Sequence, residues 1–258
     1  MTTNVKINIG LNVLRRREDG FHELETLFVP YYGFGDELEI KPADRFEVRI
    51  DGADWDPQKD LSVRAYRLLQ EEFDLPPVSL HLVKGAPVGA GLGGGSADAA
   101  FTLRMLDELF SLGLSEKELA SRAATLGSDC AFFIYNRPML GSGRGEILEP
   151  FDLDLEGYEI RVEMPHGEAV STAEAYRGVL AAKQQAIAEG RMGTALPLRE
   201  ALSRPIAEWR EVLFNDFEAT VFPLHPAIAA LKDRMYADGA VYAAMSGSGA
   251  SVFGIFRR

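Results

Sequence analysis

The sequence predicts a mixed fold in which strands and helices are grouped rather than strictly alternating, and three observations carry this. Val5, Ile7, Ile9, Leu11 and Val13 alternate with Lys6, Asn8, Gly10 and Asn12, and a second extended run from Phe21 to Val29 follows the Asp19-Gly20 turn signal, so the chain opens as a β-hairpin. A glycine-rich run then feeds a helix from Ser96 to Phe110 without a break. That helix is followed directly by another, which departs from repeated strand-helix-strand winding.

At 258 residues and a formal charge of −12, the chain can bury a substantial core, and length alone leaves one large domain or two small ones open. The charge argues against nucleic-acid or anionic-membrane binding, because both rest on an extended basic face. An anionic substrate must therefore be held by local donors. A single cysteine, Cys130, excludes an internal disulfide and agrees with a reducing compartment. No apolar run reaches the length of a membrane span and the first residues lack signal-peptide order, so cytoplasmic residence is expected.

Taken in order, the first strand places Lys6, Asn8 and Asn12 on one face. Lys6 and Asn8 stand about 6.5–7 Å apart along it, close enough to address one small ligand; a solvent-facing lysine on an edge strand fits the strand equally well. Phe21-His22 stands at the hairpin mouth, where core packing is the ordinary use of such a pair. Leu38 to Lys41 and Arg45 to Ile50 add short strands, and Asp60 caps a helix from Leu61 to Phe73 that Pro76-Pro77 ends.

Val78, Leu80 and Leu82 form the strand that delivers the loop Pro87-Val88-Gly89-Ala90-Gly91-Leu92-Gly93-Gly94-Gly95-Ser96-Ala97. Glycines let successive N–H groups converge, and the helix N-terminus aims its own at the same place, so a phosphate chain is the matching ligand. The Walker pattern fails, because Ser96-Ala97 stands where Lys-Ser or Lys-Thr is needed. Gly89, Gly91 and Gly94 match G-x-G-x-x-G, but the dinucleotide fold requires a parallel strand after the helix, where a second helix is expected. A flexible linker is disfavoured by the apolar-periodic helix that follows, with positions 99, 103, 106 and 110 on one face.

Gly113 closes that helix, and Ser115 to Glu118 is a capping box opening the next, through Leu126. Asp129 lies between Gly127 and the apolar run Cys130 to Ile134. It is therefore expected to be largely buried, with a cation, a metal or N–H donors beside it, the alternative being a helix cap. Gly141 to Glu146 is a turn, and the acidic stretch after Pro150 marks a boundary between domains 1–154 and 155–258. Ile160, Val162 and Met164 make a strand, and Ser171 to Glu174 opens a helix carrying Tyr176. Helical segments follow around Leu198 to Trp209 and Asp216 to Phe222, and another starts at Pro226 and stops at Gly239. Two final strands are joined by Ser246-Gly247-Ser248-Gly249, either an ordinary hairpin turn or a second glycine-rich turn facing the same ligand as the first.

The Lys6-Ile7-Asn8 strand, the loop from Pro87 to Ala100 and the Met245 to Gly249 turn resemble, in order, the three motifs of the GHMP small-molecule kinases. Asn8-Ile9-Gly10-Leu11-Asn12-Val13, Asp19-Gly20-Phe21-His22-Glu23-Leu24, Gly91-Leu92-Gly93-Gly94-Gly95-Ser96 and Leu126-Gly127-Ser128-Asp129 are similar, more narrowly, to the 4-diphosphocytidyl-2-C-methyl-D-erythritol kinase family of the non-mevalonate isoprenoid pathway. The resemblance implies an α+β, two-domain GHMP kinase fold, with mixed and antiparallel sheets covered by helices and an active site in the interdomain cleft. It implies transfer of the ATP γ-phosphoryl group to the 2-hydroxyl of the methylerythritol unit.

By the same resemblance Asp129 is the base and Lys6 the cation that keeps it ionised, while Pro87 to Ala97 cradles the ATP phosphates and Ser246, Gly247, Ser248 and Gly249 lie near them. Mg²⁺ bridges the phosphates without a dedicated protein site, helped by Ser96. The cytosine lies between Phe21 and Tyr176, His22 reads its polar edge, and Asn8 and Thr172 hold the rest of the substrate. Partners are then small molecules only, and monomer and homodimer both stay open. Three departures from the family pattern stand out: Phe21 replaces a usual tyrosine, Ala97 a common serine, and the sequence stops at Arg258, where relatives generally carry a further segment. Competing readings are a kinase for mevalonate, homoserine or a sugar, and a non-catalytic nucleotide-binding relative.

Overall fold

A computed structural model describes residues 1–258. Contacts group them into two compact units, one comprising Met1–Lys6, Pro30–Val88 and Gly93–Arg137, the other Ile7–Val29, Gly89–Leu92 and Pro138–Arg258. The opening hairpin is β1 (Val5–Arg16) and β2 (His22–Tyr31).

In the first unit β3 (Glu37–Pro42), β4 (Glu47–Asp51) and β5 (Val78–Val83) form a sheet ordered β3-β5-β4, with β5 antiparallel to β3 and parallel to β4. Their period-two pattern buries Leu38, Ile40, Val78, Leu80 and Leu82. The helices are α1 (Leu61–Phe73), α2 (Gly94–Phe110), α3 (Glu116–Leu126) and α4 (Cys130–Tyr135). Asp60 caps α1 by accepting from Ser62 N at 2.9 Å, and Ser115 and Glu118 form the reciprocal capping box of α3. Helix α2 packs on α1, α3 and α4. It buries Ala97, Ala99, Ala100, Leu103 and Leu106; the small residues allow close approach, and each leucine contributes about 1.5–3 kcal/mol.

In the second unit β6 (Met139–Ser142) and β7 (Ile147–Pro150) extend the hairpin into the sheet β1-β2-β6-β7. The remaining elements are β8 (Tyr158–Glu163), α5 (Thr172–Tyr176), α6 (Val179–Ala188), α7 (Leu198–Leu202), α8 (Trp209–Val212), α9 (Glu218–Val221), α10 (Pro226–Ala237), β9 (Tyr242–Met245) and β10 (Val252–Arg257). Strand β10 is central in an antiparallel sheet ordered β8-β10-β9. Val179, Val221, Ile228, Met235 and Val252 form part of the core beside it.

The α+β class is as expected, and its segmentation differs in two places. Strands β6 and β7 group with the later residues and with β2, where Thr26, Leu27 and Phe28 pair with Gly141, Leu140 and Met139. Residues 139–150 form a hairpin where the sequence signalled only its turn. The helix expected over Leu198 to Trp209 breaks into α7, a 3₁₀ turn at Ile206–Glu208 and α8, because Pro205 lacks the N–H that would continue it. No helix is long and apolar enough to cross a membrane.

Candidate active site

Every residue of β1 from Val5 to Val13 is buried, so its polar face is enclosed and the solvent-facing reading of Lys6 falls. Lys6 Nζ lies 3.5 Å from Asp129 Oδ2, the side chains being 4% and 32% exposed. The expected burial is thus inverted: Asp129 is half-buried and the lysine is enclosed. Asp129 stands on the short turn before α4, with φ −88° and ψ −11°, and makes no side-chain capping bond, so it does not serve as a helix cap. Burial pulls the Lys6 pKa down, and the neighbouring Asp129 carboxylate opposes it through charge and a hydrogen bond.

The glycine loop meets this pair through Gly93, whose φ of +75° sits in the left-handed region. A Cβ there would lie 3.1 Å from Phe133 Cε2 and 3.3 Å from Lys6 Cε. Gly93 is also the N-cap of α2 and supplies no side-chain cap. The first N–H groups of α2 are thereby presented, beside an ammonium, in the arrangement that binds anions. The Ser96 hydroxyl hydrogen-bonds the buried Cys130 thiol, whose pKa burial pushes up to about 11. Ala97 is fully buried on the packing face of α2.

In the second unit the two glycine-rich turns meet. Ser246 Oγ donates to Gly91 O at 3.3 Å, and Ser251 N donates to Ala90 O at 3.2 Å. A Cβ on Gly91 would collide with the Ser246 carbonyl oxygen. Thr172 Oγ1 and Ser248 Oγ are 3.4 Å apart, which brings together two residues singled out separately. Sequence reading missed the supports of this turn: Asn215 Nδ2 donates to Met245 O (2.7 Å) and Gly247 O (2.8 Å), and Glu218 Oε1 accepts from Met245 N (2.9 Å). Their signal was Asn215-Asp216-Phe217-Glu218, three hydrogen-bonding residues out of four within an otherwise helical region.

The aromatic residues lie in the same unit. Phe21 is 54% exposed, which removes the core-packing reading, and the Arg144 guanidinium lies 4.9 Å from its ring centroid. The ring stacked on Tyr176 is His22, at 5.0 Å and 29°, while Phe217 meets Tyr176 edge-on at 4.6 Å. Burial, with Arg16 nearby, lowers the His22 pKa, so the imidazole is neutral at pH 7. Asn8 Nδ2 donates to Thr26 Oγ1 at 3.1 Å.

Residues 60–137 match the GHMP kinases N terminal domain, and residues 198–258 match GHMP kinases C terminal. A protein of Bacteroides thetaiotaomicron named 4-diphosphocytidyl-2-C-methyl-D-erythritol kinase is 46% identical over 262 residues, covering 98% of this chain and 90% of its own. The chain belongs to the 4-diphosphocytidyl-2-C-methyl-D-erythritol kinase family. A crystal structure titled 4-(cytidine 5'-diphospho)-2C-methyl-D-erythritol kinase is 34% identical and superposes with a TM-score of 0.81, covering 98% of this chain and 88% of the other. The mevalonate kinase of Methanococcus jannaschii, at 13% identity and TM-score 0.70 over 100% of this chain and 90% of its own, shares the fold alone. In this member of the kinase family the matched N-terminal domain holds the loop and Asp129, while Lys6, Asn8, Phe21 and His22 precede it.

Proposed function

We propose that this chain transfers the γ-phosphoryl group of ATP to the 2-hydroxyl of 4-diphosphocytidyl-2-C-methyl-D-erythritol, within non-mevalonate isoprenoid precursor synthesis. The observation that carries the reading is the Lys6–Asp129 pair, 3.5 Å apart, with Lys6 packed against Gly93 at the N-terminus of α2. As the acceptor oxygen forms its bond to the γ-phosphorus and the bond to ADP breaks, Asp129 takes the hydroxyl proton. The Lys6 ammonium orients Asp129 and neutralises charge on the transferring group, and the N–H groups of the loop 87–97 hold the triphosphate.

Mg²⁺ fits the donor chemistry here, since Ser96 offers a hard oxygen whose present partner is a weakly competing thiol. When bound, the ion would neutralise charge on the phosphates, which hold most of it. Ser246 to Gly249 line the phosphates, a role supported by their contact with Gly91. Phe21 and Tyr176 stack on the cytosine, each such contact being worth about 1–3 kcal/mol, His22 reads its edge, and Asn8 and Thr172 hold the remainder. Residues 1–154 then carry the ATP loop and the catalytic pair, and 155–258 the substrate wall. The chain acts in the cytoplasm on small molecules, as a monomer or homodimer.

The test is an assay with ATP, Mg²⁺ and the cytidine diphosphate acceptor, comparing wild type with Asp129→Asn. The variant should keep its KM for ATP and lose ~100-fold or more in kcat, the scale of removing a general base. Near-normal turnover would move the proton acceptor elsewhere.

A further inference from the structure

Beneath the glycine loop lies an ionic cluster that the reaction described above does not use. Asp36 and Asp98 are fully buried, and the Lys84 side chain between them is 5% exposed. Lys84 Nζ donates to Asp36 Oδ2 and, at 2.7 Å, to Asp98 Oδ2. The other oxygen of Asp36 accepts the N–H groups of Gly85 (2.7 Å) and Ala86 (2.8 Å), the two residues that lead into the loop. Asp98 belongs to α2, the helix the loop opens. Thr3 closes the ring: its hydroxyl accepts from Asp36 N at 3.0 Å and donates to Asp98 Oδ1 at 3.4 Å.

Gly94 packs over this cluster, since a Cβ there would lie 3.6 Å from Asp36 Oδ2 and 3.9 Å from Lys84 Nζ. Gly85, whose N–H is held by Asp36, also packs on the backbone just before that residue, where a Cβ would lie 2.6 Å from Gly35 O. Both ends of the phosphate loop are therefore seated on the same three charged side chains. Burial opposes the Lys84 ammonium, but the two carboxylates outweigh it and raise its pKa. Burial pushes the Asp98 carboxyl up to about 7, as expected where two carboxylates share one ammonium.

Stability does not account for such a cluster. Burying three ionisable groups carries a desolvation cost that apolar residues of the same volume avoid, so a buried triad is weak as a stabiliser. What it supplies is a set of fixed, directional distances between residues 85–86 and residues 94–98. Those distances decide where the N–H groups of the loop converge.

We propose that Asp36, Lys84 and Asp98 are positioning residues for phosphoryl transfer, holding the two ends of the glycine loop at the span that fits a nucleoside triphosphate. The inference rests on the kinase reading of the loop. N–H groups that no longer converge on the triphosphate hold it less tightly, so loss of the cluster falls first on ATP affinity.

The experiment compares wild type, Asp98→Ala and Asp98→Asn in steady-state assays varying ATP and acceptor separately, with melting curves alongside. Wild-type turnover is measured first, and its absence overturns the kinase reading and this proposal together. With turnover present, Asp98→Ala should raise KM for ATP by ~10-fold or more while KM for the acceptor moves by less than about 3-fold, and Asp98→Asn should restore most of the ATP affinity. A purely structural role would lower the melting temperature of both variants and leave KM for ATP in the folded fraction unchanged; that result overturns the positioning role alone. If Asp98→Ala is not recovered folded, Thr3→Val removes only the hydroxyl that links the Asp36 backbone N–H to the Asp98 carboxylate. It should raise KM for ATP by ~3-fold with little change in melting temperature, and an unchanged KM counts against the proposal.

Discussion

Gly93 carries a large share of the candidate site on one backbone angle. At φ +75° an L side chain is strained by ~1–2 kcal/mol, and the Cβ would press on Phe133 and Lys6 Cε at 3.1 and 3.3 Å. Gly93→Ala should therefore shift the Lys6 ammonium and the start of α2 together. Its kcat should fall by ~10-fold or more with a melting temperature lowered by only a few degrees. A variant with wild-type kcat would show that the approach of Gly93 to Lys6 has no functional weight. Cys130 illustrates the opposite case: its thiol, held at a pKa of about 11 by burial, is uncharged at neutral pH and packs as a small apolar group.

At the level of elements, the glycine-rich turns owe their shape to buried polar side chains outside them. Asp36 accepts the N–H groups that enter the first turn, while at the second Glu218 accepts the Met245 N–H and Asn215 donates to the Met245 and Gly247 carbonyls. Glu218 also accepts from Lys232 at 2.6 Å, so in both cases a lysine compensates the carboxylate.

Helix α5, with Thr172 and Tyr176, has five residues and is too short to stand alone. It is clasped by His225, whose Nδ1 is 2.6 Å from Glu168 and whose Nε2 is 3.5 Å from Glu174. The hydrogen bond with Glu168 is the main cause raising the His225 pKa, with burial opposing and Glu174 assisting. A histidine whose folded pKa is raised contributes stability that is fully present below its ordinary value of about 6.5 and is lost as pH rises through the folded value. The melting-temperature difference between wild type and His225→Gln should therefore be largest at acid pH and shrink on the alkaline side. A difference that stays flat with pH would remove the charged clasp.

For the whole molecule, a net charge of −12 means that anionic ligands are won by local donors against the overall field. Ligands that bind only the folded chain stabilise it by about 2.7 kcal/mol at 100 times their dissociation constant. For a chain of this size that corresponds to a rise of roughly 5–10 °C in melting temperature. ATP and cytidine diphosphate should each produce it, the second because the acceptor reading includes a base clamp. A response to ATP alone would leave the phosphate loop in place and point to an acceptor without a base.

Wherever the deciding interaction is local, the sequence was sufficient. Asp60 and the Ser115–Glu118 box bracket their helices, period-two alternation marks β1, and Gly89, Gly91 and Gly93 mark the left-handed turns of the loop that glycine makes without strain. These signals reside in backbone sterics and in hydrogen bonds between residues a few positions apart. Tertiary structure alone decided which partner of the Lys6–Asp129 pair is enclosed, that the residues after Leu198 break into short turns, and that Asp36, Lys84 and Asp98 share one buried site. Those outcomes depend on desolvation and charge among side chains far apart along the chain, which become defined only when packing excludes water around them.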